Sequence, residues 1–277
     1  MTKSQDVNGR GLFLMMESGI ASVSFRGKSV EEILAASAAA GLDGVEWGSD
    51  VHVPAGDVSL ARDVRRRTEA AGLKVLSYGS YYHLGAQARE EESDRVLASA
   101  AALGVRDVRI WGGSKNSAEF SPGGWDSLVA EGRRLAEKAS EKGIVLSLEC
   151  HNHTVTDDWK SAKHYLDAVG SPSMRMYWQP NELKDEAYNL AAARALAPYV
   201  TNIHVFSMDG DRHYPLAEHA GRWEKYLAAL DNGAPHALIL EFLYDDRIES
   251  LPQESRTLCS WIQARAVYPD GTAHKKI

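Results

Sequence analysis

The stretch IVLSLECHNHTV (Ile144–Val155) joins an apolar run to residue types that bind metals. The apolar run ends at Glu149, which is followed by Cys150, His151 and His153. A carboxylate at the end of a buried strand is costly unless a partner compensates its charge. The stretch therefore predicts either a metal ligand at the carboxyl end of a strand or a buried ion pair with Arg or Lys.

Three further polar side chains occur at the ends of, or within, other apolar runs. Gln179 follows MRMYW, His204 lies in NIHVFS, and Glu241 lies in ALILEF. Two carboxylates, an amide oxygen and an imidazole suit Mn²⁺, Mg²⁺ or Co²⁺ better than structural zinc. The alternatives are salt bridges for the two glutamates, a core imidazole for His204, and a loop cross-link for Gln179.

The elements that would position these residues alternate along the chain. Eight apolar runs predict strands, and each is followed by a helical pattern; the runs are GLFLMMESGI, LDGVEWG, LKVLSYG, VRDVRIWGG, IVLSLE, MRMYWQP, NIHVFS and ALILEF. The spacing of Ser29 and Glu32 predicts a capping box at the start of the first helix. Alternating strands and helices predict a parallel sheet covered by helices. Eight such units in about 250 residues predict an α/β fold, a single-domain (β/α)8 TIM barrel. An open doubly wound sheet is disfavoured, since no G-x-G-x-x-G follows a predicted strand.

We expect residues 12–265 to form this barrel, with residues 1–11 as an N-terminal tail and residues 266–277 as a polar C-terminal tail. The net charge of −7 argues against a nucleic-acid partner held by its phosphates. Only two cysteines in 277 residues favour a reducing, cytoplasmic location. The first ten residues lack the apolar segment of a signal peptide, and no run approaches the roughly 20 apolar residues of a membrane span. A homo-oligomer is possible, because homodimers are common.

In a TIM barrel the carboxyl ends of the strands form the rim that carries the active site. Besides the four polar residues above, the predicted rim carries the region of Glu17, Glu46, Ser77, His83 and Trp111. We expect Glu46, His83 and Trp111 to bind substrate, with Trp111 packing against the face of a sugar. Aromatic residues at strand ends are also common as caps of the core.

Four segments together, SLECH, YWQPN, NIHVF and LILEF, resemble the xylose-isomerase-like TIM-barrel superfamily. The resemblance is greatest to its sugar-phosphate isomerase/epimerase group, which includes the D-tagatose and L-ribulose 3-epimerases, and it covers about residues 12–265. It implies that Glu149, His204 and Glu241 bind one divalent ion, commonly Mn²⁺. Gln179 stands where the family has an Asp, which implies weaker metal binding, a more electrophilic ion, or a member that has lost the metal.

The same resemblance implies contacts with a sugar or sugar-derived substrate. His151 and Thr154 match an HxxT-like segment that would hold hydroxyl groups. Arg212 lies in the loop where the family has a substrate-binding arginine. Each of His151 and Arg212 could equally be an ordinary surface residue of its loop.

The implied activity is that of a sugar isomerase or epimerase acting through an enediolate. Glu149 and Glu241, on opposite sides of the substrate, would remove and return a proton next to the carbonyl. The alternatives are a lyase or dehydratase, including C–C or C-glycosyl cleavage of a keto-sugar or keto-inositol, and a non-catalytic sugar-binding or partner subunit. An endonuclease-IV-like nuclease is disfavoured by the acidic composition and the few histidines at strand ends.

Overall fold

A computed structural model describes residues 16–85 and 90–267. Within these residues, eight parallel strands form the barrel: β1 (Glu17–Ala21), β2 (Gly44–Gly48), β3 (Lys74–His83), β4 (Asp107–Trp111), β5 (Val145–Glu149), β6 (Met174–Trp178), β7 (Val200–Val205) and β10 (Ala237–Leu240). They pair in the order β1-β2-β3-β4-β5-β6-β7-β10, and β10 pairs back onto β1 to close the barrel.

The helices alternate with these strands along the chain. They are α1 (Val30–Ala39), α2 (Val58–Ala70), α3 (Glu90–Leu103), α4 (Pro122–Ser140), α5 (Trp159–Val169), α6 (Glu186–Leu196), α7 (Ala220–Leu230) and α8 (Leu251–Val267). A small antiparallel hairpin, β8 (Met208–Asp209) and β9 (Arg212–His213), interrupts the connection from β7 to α7. The predicted (β/α)8 barrel is therefore confirmed.

The capping box at the start of α1 is also confirmed. The Ser29 hydroxyl accepts a hydrogen bond from the Glu32 amide, and the Glu32 carboxylate accepts one from the Ser29 amide. Gly41 follows the helix with a φ of +73°, a left-handed conformation that glycine adopts without steric cost. Local signals thus set both ends of this helix.

Two strand predictions need correction. Glu17 begins β1 and therefore lies at the amino end of the barrel, away from the rim, where it pairs with Lys74. The predicted first strand begins earlier, but Gly11–Met15 lie outside the described residues. The third strand does not end at Ser77, because β3 continues to His83 through tyrosines that favour strands, with a register shift against β4.

The predicted tails fall almost entirely outside the described residues. Residues 1–11 are not described, and of residues 266–277 only the last two residues of α8 are. Among the described helices, none combines the length and the apolar character needed to cross a bilayer.

The barrel separates an apolar layer from a polar interior. A large cluster of buried aliphatic and aromatic residues fills the space between the strands and the helices. The interior instead holds polar and charged side chains that are nearly inaccessible to solvent, among them Glu46, Ser77, Arg109, Ser147 and His204. Buried charges are stable only when they compensate one another. The interior of this barrel is therefore where its chemistry concentrates.

Candidate metal centre and active site

Four strands deliver the four predicted metal ligands to one place. Glu149 is the last residue of β5 and His204 lies in β7, while Gln179 and Glu241 directly follow β6 and β10. These strands are neighbours in the order β5-β6-β7-β10. Glu149, His204 and Glu241 are buried, and Gln179 is partly buried. The side chains that the sequence placed at the rim therefore meet inside its mouth.

The distances within this group are short. His204 Nδ1 lies 3.0 Å from Gln179 Oε1, 3.3 Å from Glu241 Oε2 and 3.7 Å from Glu149 Oε1. One candidate ligand atom from each of Glu149, His204 and Glu241 lies within 4.8 Å of the other two. An ion takes ligands at roughly 2.0–2.6 Å, so donors at this spacing can share one. These three residues could hold a metal ion, and the donor set fits a hard divalent cation.

The carboxylates of this cluster also favour binding of a cation. Burial raises the pKa of Glu241 to about 7, and the charge of Glu149 contributes to the increase although His204 opposes it. An ion bound between the two carboxylates would offset the electrostatic cost of ionising both of them. The residues present thus fit a divalent metal both in donor chemistry and in charge.

The second interpretation of Glu149, a buried ion pair, is also realised. Glu149 Oε2 lies 3.2 Å from Arg109 Nε and accepts a hydrogen bond of 2.5 Å from Trp111 Nε1. Burial opposes ionisation of Glu149, but the charges of Arg109 and His204 hold its pKa well below the usual range. Oε1 is the oxygen that faces His204. One carboxylate thus uses Oε2 for Arg109 and Trp111 and turns Oε1 toward the cluster.

Arg109 itself is buried in the barrel interior, with 2% of its surface exposed. Its Nη1 donates to the Ser80 carbonyl oxygen at 3.0 Å, and its guanidinium lies over the rings of Tyr81 and Trp111. Sequence reasoning missed Arg109. The sequence did contain a signal, since Arg109 and Trp111 are two residues apart in β4 and their side chains therefore lie on the same face of the strand.

Glu46 is buried and contacts Nε2 of His204, the ring nitrogen that faces away from Gln179. Its Oε1 lies 3.2 Å from His204 Nε2, and its Oε2 accepts hydrogen bonds from the hydroxyls of Tyr177 (2.5 Å) and Ser77 (2.7 Å). A Cβ on Gly79 would lie 2.8 Å from Glu46 Oε1, so glycine makes room for this carboxylate. Tyr177 is a second residue that the sequence did not single out, since buried tyrosines are ordinary core residues.

The charges of Glu46 and His204 stabilise each other. Burial opposes ionisation of Glu46, but His204 and Arg109 lower its pKa to about 2. Burial also opposes protonation of His204, yet the carboxylates of Glu241, Glu46 and Glu149 raise its pKa to about 10. The buried carboxylates therefore favour the protonated form of His204, and the imidazolium favours the ionised form of Glu46.

A cavity of about 310 Å³ opens over the cluster. It is lined by Glu149, Cys150, His151, Asn152, His153, Gln179, Asn181, Glu182, Phe206, Met208, Glu241 and Phe242. This volume is at the lower end of the range for small-molecule sites. Three of the four predicted ligands thus face a space that fits a small molecule.

Three predicted substrate-binding residues form an aromatic row beside Glu149. The ring of His151, which lines the cavity, stacks on Trp111 with centroids 4.7 Å apart, and His83 packs edge-on against Trp111 at 4.5 Å. His83 Nδ1 lies 2.9 Å from the Gly113 carbonyl oxygen. The structure brings His83, Trp111 and His151 together next to the cluster.

Thr154 and Arg212 lie elsewhere. The Thr154 hydroxyl is buried, donates to the His151 carbonyl oxygen at 2.6 Å and contacts the Thr156 hydroxyl, so it stabilises the loop after β5. Arg212 is exposed on the β8–β9 hairpin, with its guanidinium over the ring of Tyr214. Neither residue lines the described cavity.

Comparisons with known proteins agree with this architecture. A family model described as xylose isomerase-like TIM barrel matches residues 34–265. The sequence matches none of the curated proteins with which it was compared.

Solved structures with the same fold have low sequence identity to this chain. The probable 3-DHS dehydratase AsbF, involved in petrobactin synthesis in Bacillus anthracis, is 18% identical with a TM-score of 0.74, covering 88% of this chain and 99% of that one. An L-ribulose 3-epimerase is 16% identical with a TM-score of 0.72, covering 95% of this chain and 100% of that one. A xylose isomerase-like TIM barrel protein from Mycobacterium smegmatis, in complex with magnesium, is 13% identical with a TM-score of 0.70, covering 92% of this chain and 99% of that one.

Identities this low establish the fold alone, whereas the family model spans most of the chain. The closed eight-stranded barrel and this match agree with the resemblance carried by the four strand-end segments. The chain belongs to the xylose isomerase-like TIM barrel family.

Proposed function

We propose that this protein is a divalent-metal-dependent isomerase or epimerase that acts on a ketose or keto-sugar. The observation that carries the proposal is the convergence of Glu149, His204 and Glu241, all buried, at a cavity of small-molecule size. Mn²⁺ is the ion we expect first, with Mg²⁺ or Co²⁺ as substitutes. A cytoplasmic location remains part of the proposal.

Four residues would hold the ion. Glu149 would bind through Oε1 and His204 through Nδ1, the atoms that face the cluster, and Gln179 Oε1 and the Glu241 carboxylate would complete the set. When bound, a divalent ion supplies Lewis-acid polarisation of a carbonyl and a template for the neighbouring hydroxyl. Because Gln179 is neutral, the ligand set carries two negative charges.

The proton transfer would use the two carboxylates. One removes a proton from the carbon next to the sugar carbonyl, leaving an enediolate, and the other returns a proton to it. Return to the opposite face of the same carbon gives the epimer, and return to the former carbonyl carbon gives the isomeric aldose. Contrasting contacts support separate roles, since Glu149 Oε2 contacts Arg109 and Trp111, whereas Glu241 Oε2 faces His204 at 3.3 Å.

Substrate contacts are assigned from position. His151 lines the cavity, and Trp111 and His83 continue its aromatic row, which suits the apolar face of a sugar ring. Asn152 and Glu182 on the cavity wall offer hydrogen-bonding groups for hydroxyls. Thr154 and Arg212 would act indirectly, through the loop after β5 and through the hairpin.

A dehydratase on the same site is the second candidate. The structural neighbour from Bacillus anthracis bears a dehydratase name, and loss of a β-hydroxyl begins with the same proton removal. A carboxylic acid at the cavity wall, such as Glu241, can also protonate a leaving hydroxyl. C–C or C-glycosyl cleavage would share this first step, and a non-catalytic sugar-binding role would not need it.

The test is incubation of the Mn²⁺-loaded protein with a panel of ketoses in D₂O, followed by NMR. We expect deuterium at the carbon next to the carbonyl, and we expect Glu149→Gln and Glu241→Gln each to slow the exchange by about 10²–10⁴-fold. Glu254→Gln is the matched control, since Glu254 is buried in α8 and bonds the Leu216 amide.

The products separate the candidates. Rearranged sugar without loss of water identifies an isomerase or epimerase, and loss of water detected by mass spectrometry identifies the dehydratase. A protein that binds no divalent ion and catalyses no exchange would contradict both reactions and leave the non-catalytic role.

A further inference from the structure

We propose that Glu46 is a positioning residue that fixes the ring of His204, so that Nδ1 is the nitrogen presented to the ion. The inference rests on the proposed metal site. It concerns a carboxylate that does not line the cavity, whose 1% exposure leaves no surface for a substrate.

The two nitrogens of His204 have different neighbours. Nε2 lies 3.2 Å from Glu46 Oε1, whereas Nδ1 points toward the oxygens of Gln179, Glu241 and Glu149. An ionised carboxylate can only accept hydrogen bonds. In the neutral imidazole that binds a metal, the proton must then lie on Nε2, and the lone pair on Nδ1 is free for the ion.

Glu46 is itself held in place. Tyr177 and Ser77 both donate to its Oε2, which leaves Oε1 for the histidine. The ring of Tyr177 also packs against the ring of His204, with centroids 4.6 Å apart. Groups that do not bind the ion therefore set the position of the imidazole, the nitrogen that carries its proton and the plane of its ring.

This arrangement reaches across the barrel. Glu46 and Ser77 lie in the paired strands β2 and β3, while Tyr177 and His204 lie in β6 and β7. In the strand order, β1 and β10 separate β2 from β7. The contacts therefore tie the far wall of the barrel to the metal centre.

The negative charge of Glu46 supplements a ligand set in which Gln179 is neutral. A carboxylate bonded to the outer nitrogen of an imidazole makes that imidazole a stronger donor. Glu46, one hydrogen bond away from His204, thus adds a third carboxylate to the two that face the ion, Glu149 and Glu241. Loss of such an outer partner typically lowers metal affinity by about 10–100-fold.

The test compares Mn²⁺ affinity by isothermal titration calorimetry between the wild type and Glu46→Gln. We expect the dissociation constant to rise by about 10–100-fold, because an amide can donate to Nε2 and so allow the other tautomer. Tyr177→Phe and Ser77→Ala each remove one donor to Glu46 and should cause smaller losses. Glu254→Gln, which changes a buried carboxylate that bonds Leu216, should bind Mn²⁺ like the wild type.

A second measurement uses the wild-type protein alone, so it does not require that any variant folds. The ¹⁵N NMR spectrum of histidine-labelled wild type loaded with Mg²⁺ should show His204 protonated at Nε2 and unprotonated at Nδ1. A proton on Nδ1 would overturn the proposal, and so would an unchanged dissociation constant in a folded Glu46→Gln protein. A wild type that binds no Mn²⁺ would defeat the proposed function as well, whereas wild-type binding with an unaffected variant defeats only the role of Glu46.

Discussion

Glu149 carries two roles on one side chain because its oxygens face different neighbours. Oε2 is occupied by Arg109 and Trp111, and Oε1 faces His204. A buried cation beside a candidate ligand keeps the carboxylate ionised and fixes its direction. The two side chains also depend on each other, since removing either Glu149 or Arg109 leaves an uncompensated buried charge.

We therefore predict that Arg109→Met lowers the free energy of unfolding by about 3–5 kcal/mol. The physical reason is that Glu149 would remain buried with its nearest cation removed. The measurement is urea unfolding in the presence of a chelator, so that no ion contributes. Adding Glu149→Gln to Arg109→Met should recover part of the loss, and a double-mutant cycle without coupling would contradict this account.

At the scale of elements, the packing of α4 on α5 supports β5, which delivers Glu149. Gly132 in α4 lies directly against Tyr165 in α5, whose hydroxyl donates to the Leu128 carbonyl oxygen at 2.9 Å. A Cβ at position 132 would lie 2.1 Å from that hydroxyl oxygen. Close approach of the two helices therefore requires a glycine in the middle of α4, despite its low helix propensity.

The prediction is that Gly132→Ala lowers the free energy of unfolding by about 1–3 kcal/mol, because the added methyl forces Tyr165 to move. Gly123→Ala is the matched control in the first turn of the same helix, where a Cβ meets no atom within 4 Å. That control should leave stability unchanged or raise it by up to about 1 kcal/mol. Equal effects of the two substitutions, measured by thermal or urea unfolding, would refute the packing argument.

At the scale of the whole molecule, the barrel has a rim that carries the candidate site and an amino end that serves stability. Strand β4 joins the two, since Asp107 begins it and Arg109 and Trp111 reach the site. Burial raises the pKa of Asp107 from 3.8 to about 6, although Arg106 and Arg175 oppose the increase. A charged Asp107 is therefore a cost to the folded state at neutral pH.

The sign of the pH dependence follows from this raised pKa. The stability that the neutral Asp107 contributes is fully present below about pH 4, and it is lost as the pH rises through about 6. Asp107→Asn should thus raise the free energy of unfolding by about 1–3 kcal/mol at pH 7 and by nearly nothing at pH 4. Urea unfolding across this pH range is the measurement, and a difference that does not vary with pH would disprove the assignment. Mn²⁺ affinity should not change, because Asp107 lies at the opposite end of the barrel from the cluster.

Much of this protein is determined by the sequence itself. Helix and strand periodicities are local, so the eight units, the capping box at Ser29 and the strand ends at Trp111, Glu149 and Trp178 could all be read from short segments. Once the strands are parallel, their order places Glu149, Gln179, His204 and Glu241 at the same rim. The convergence of these four residues needed no knowledge of side-chain directions.

The partners of these residues were decided only by the tertiary structure. Glu46 is 131 residues from Tyr177 and 158 from His204 in sequence, and both contacts cross the barrel interior. No periodicity links positions so far apart, because strand stagger and side-chain direction decide which interior residues touch. The same holds for Arg109 beneath Glu149, and for Thr154 and Arg212, whose loops turn them away from the cavity. Local patterns therefore determined where the site lies, and long-range packing decided how its charges are balanced.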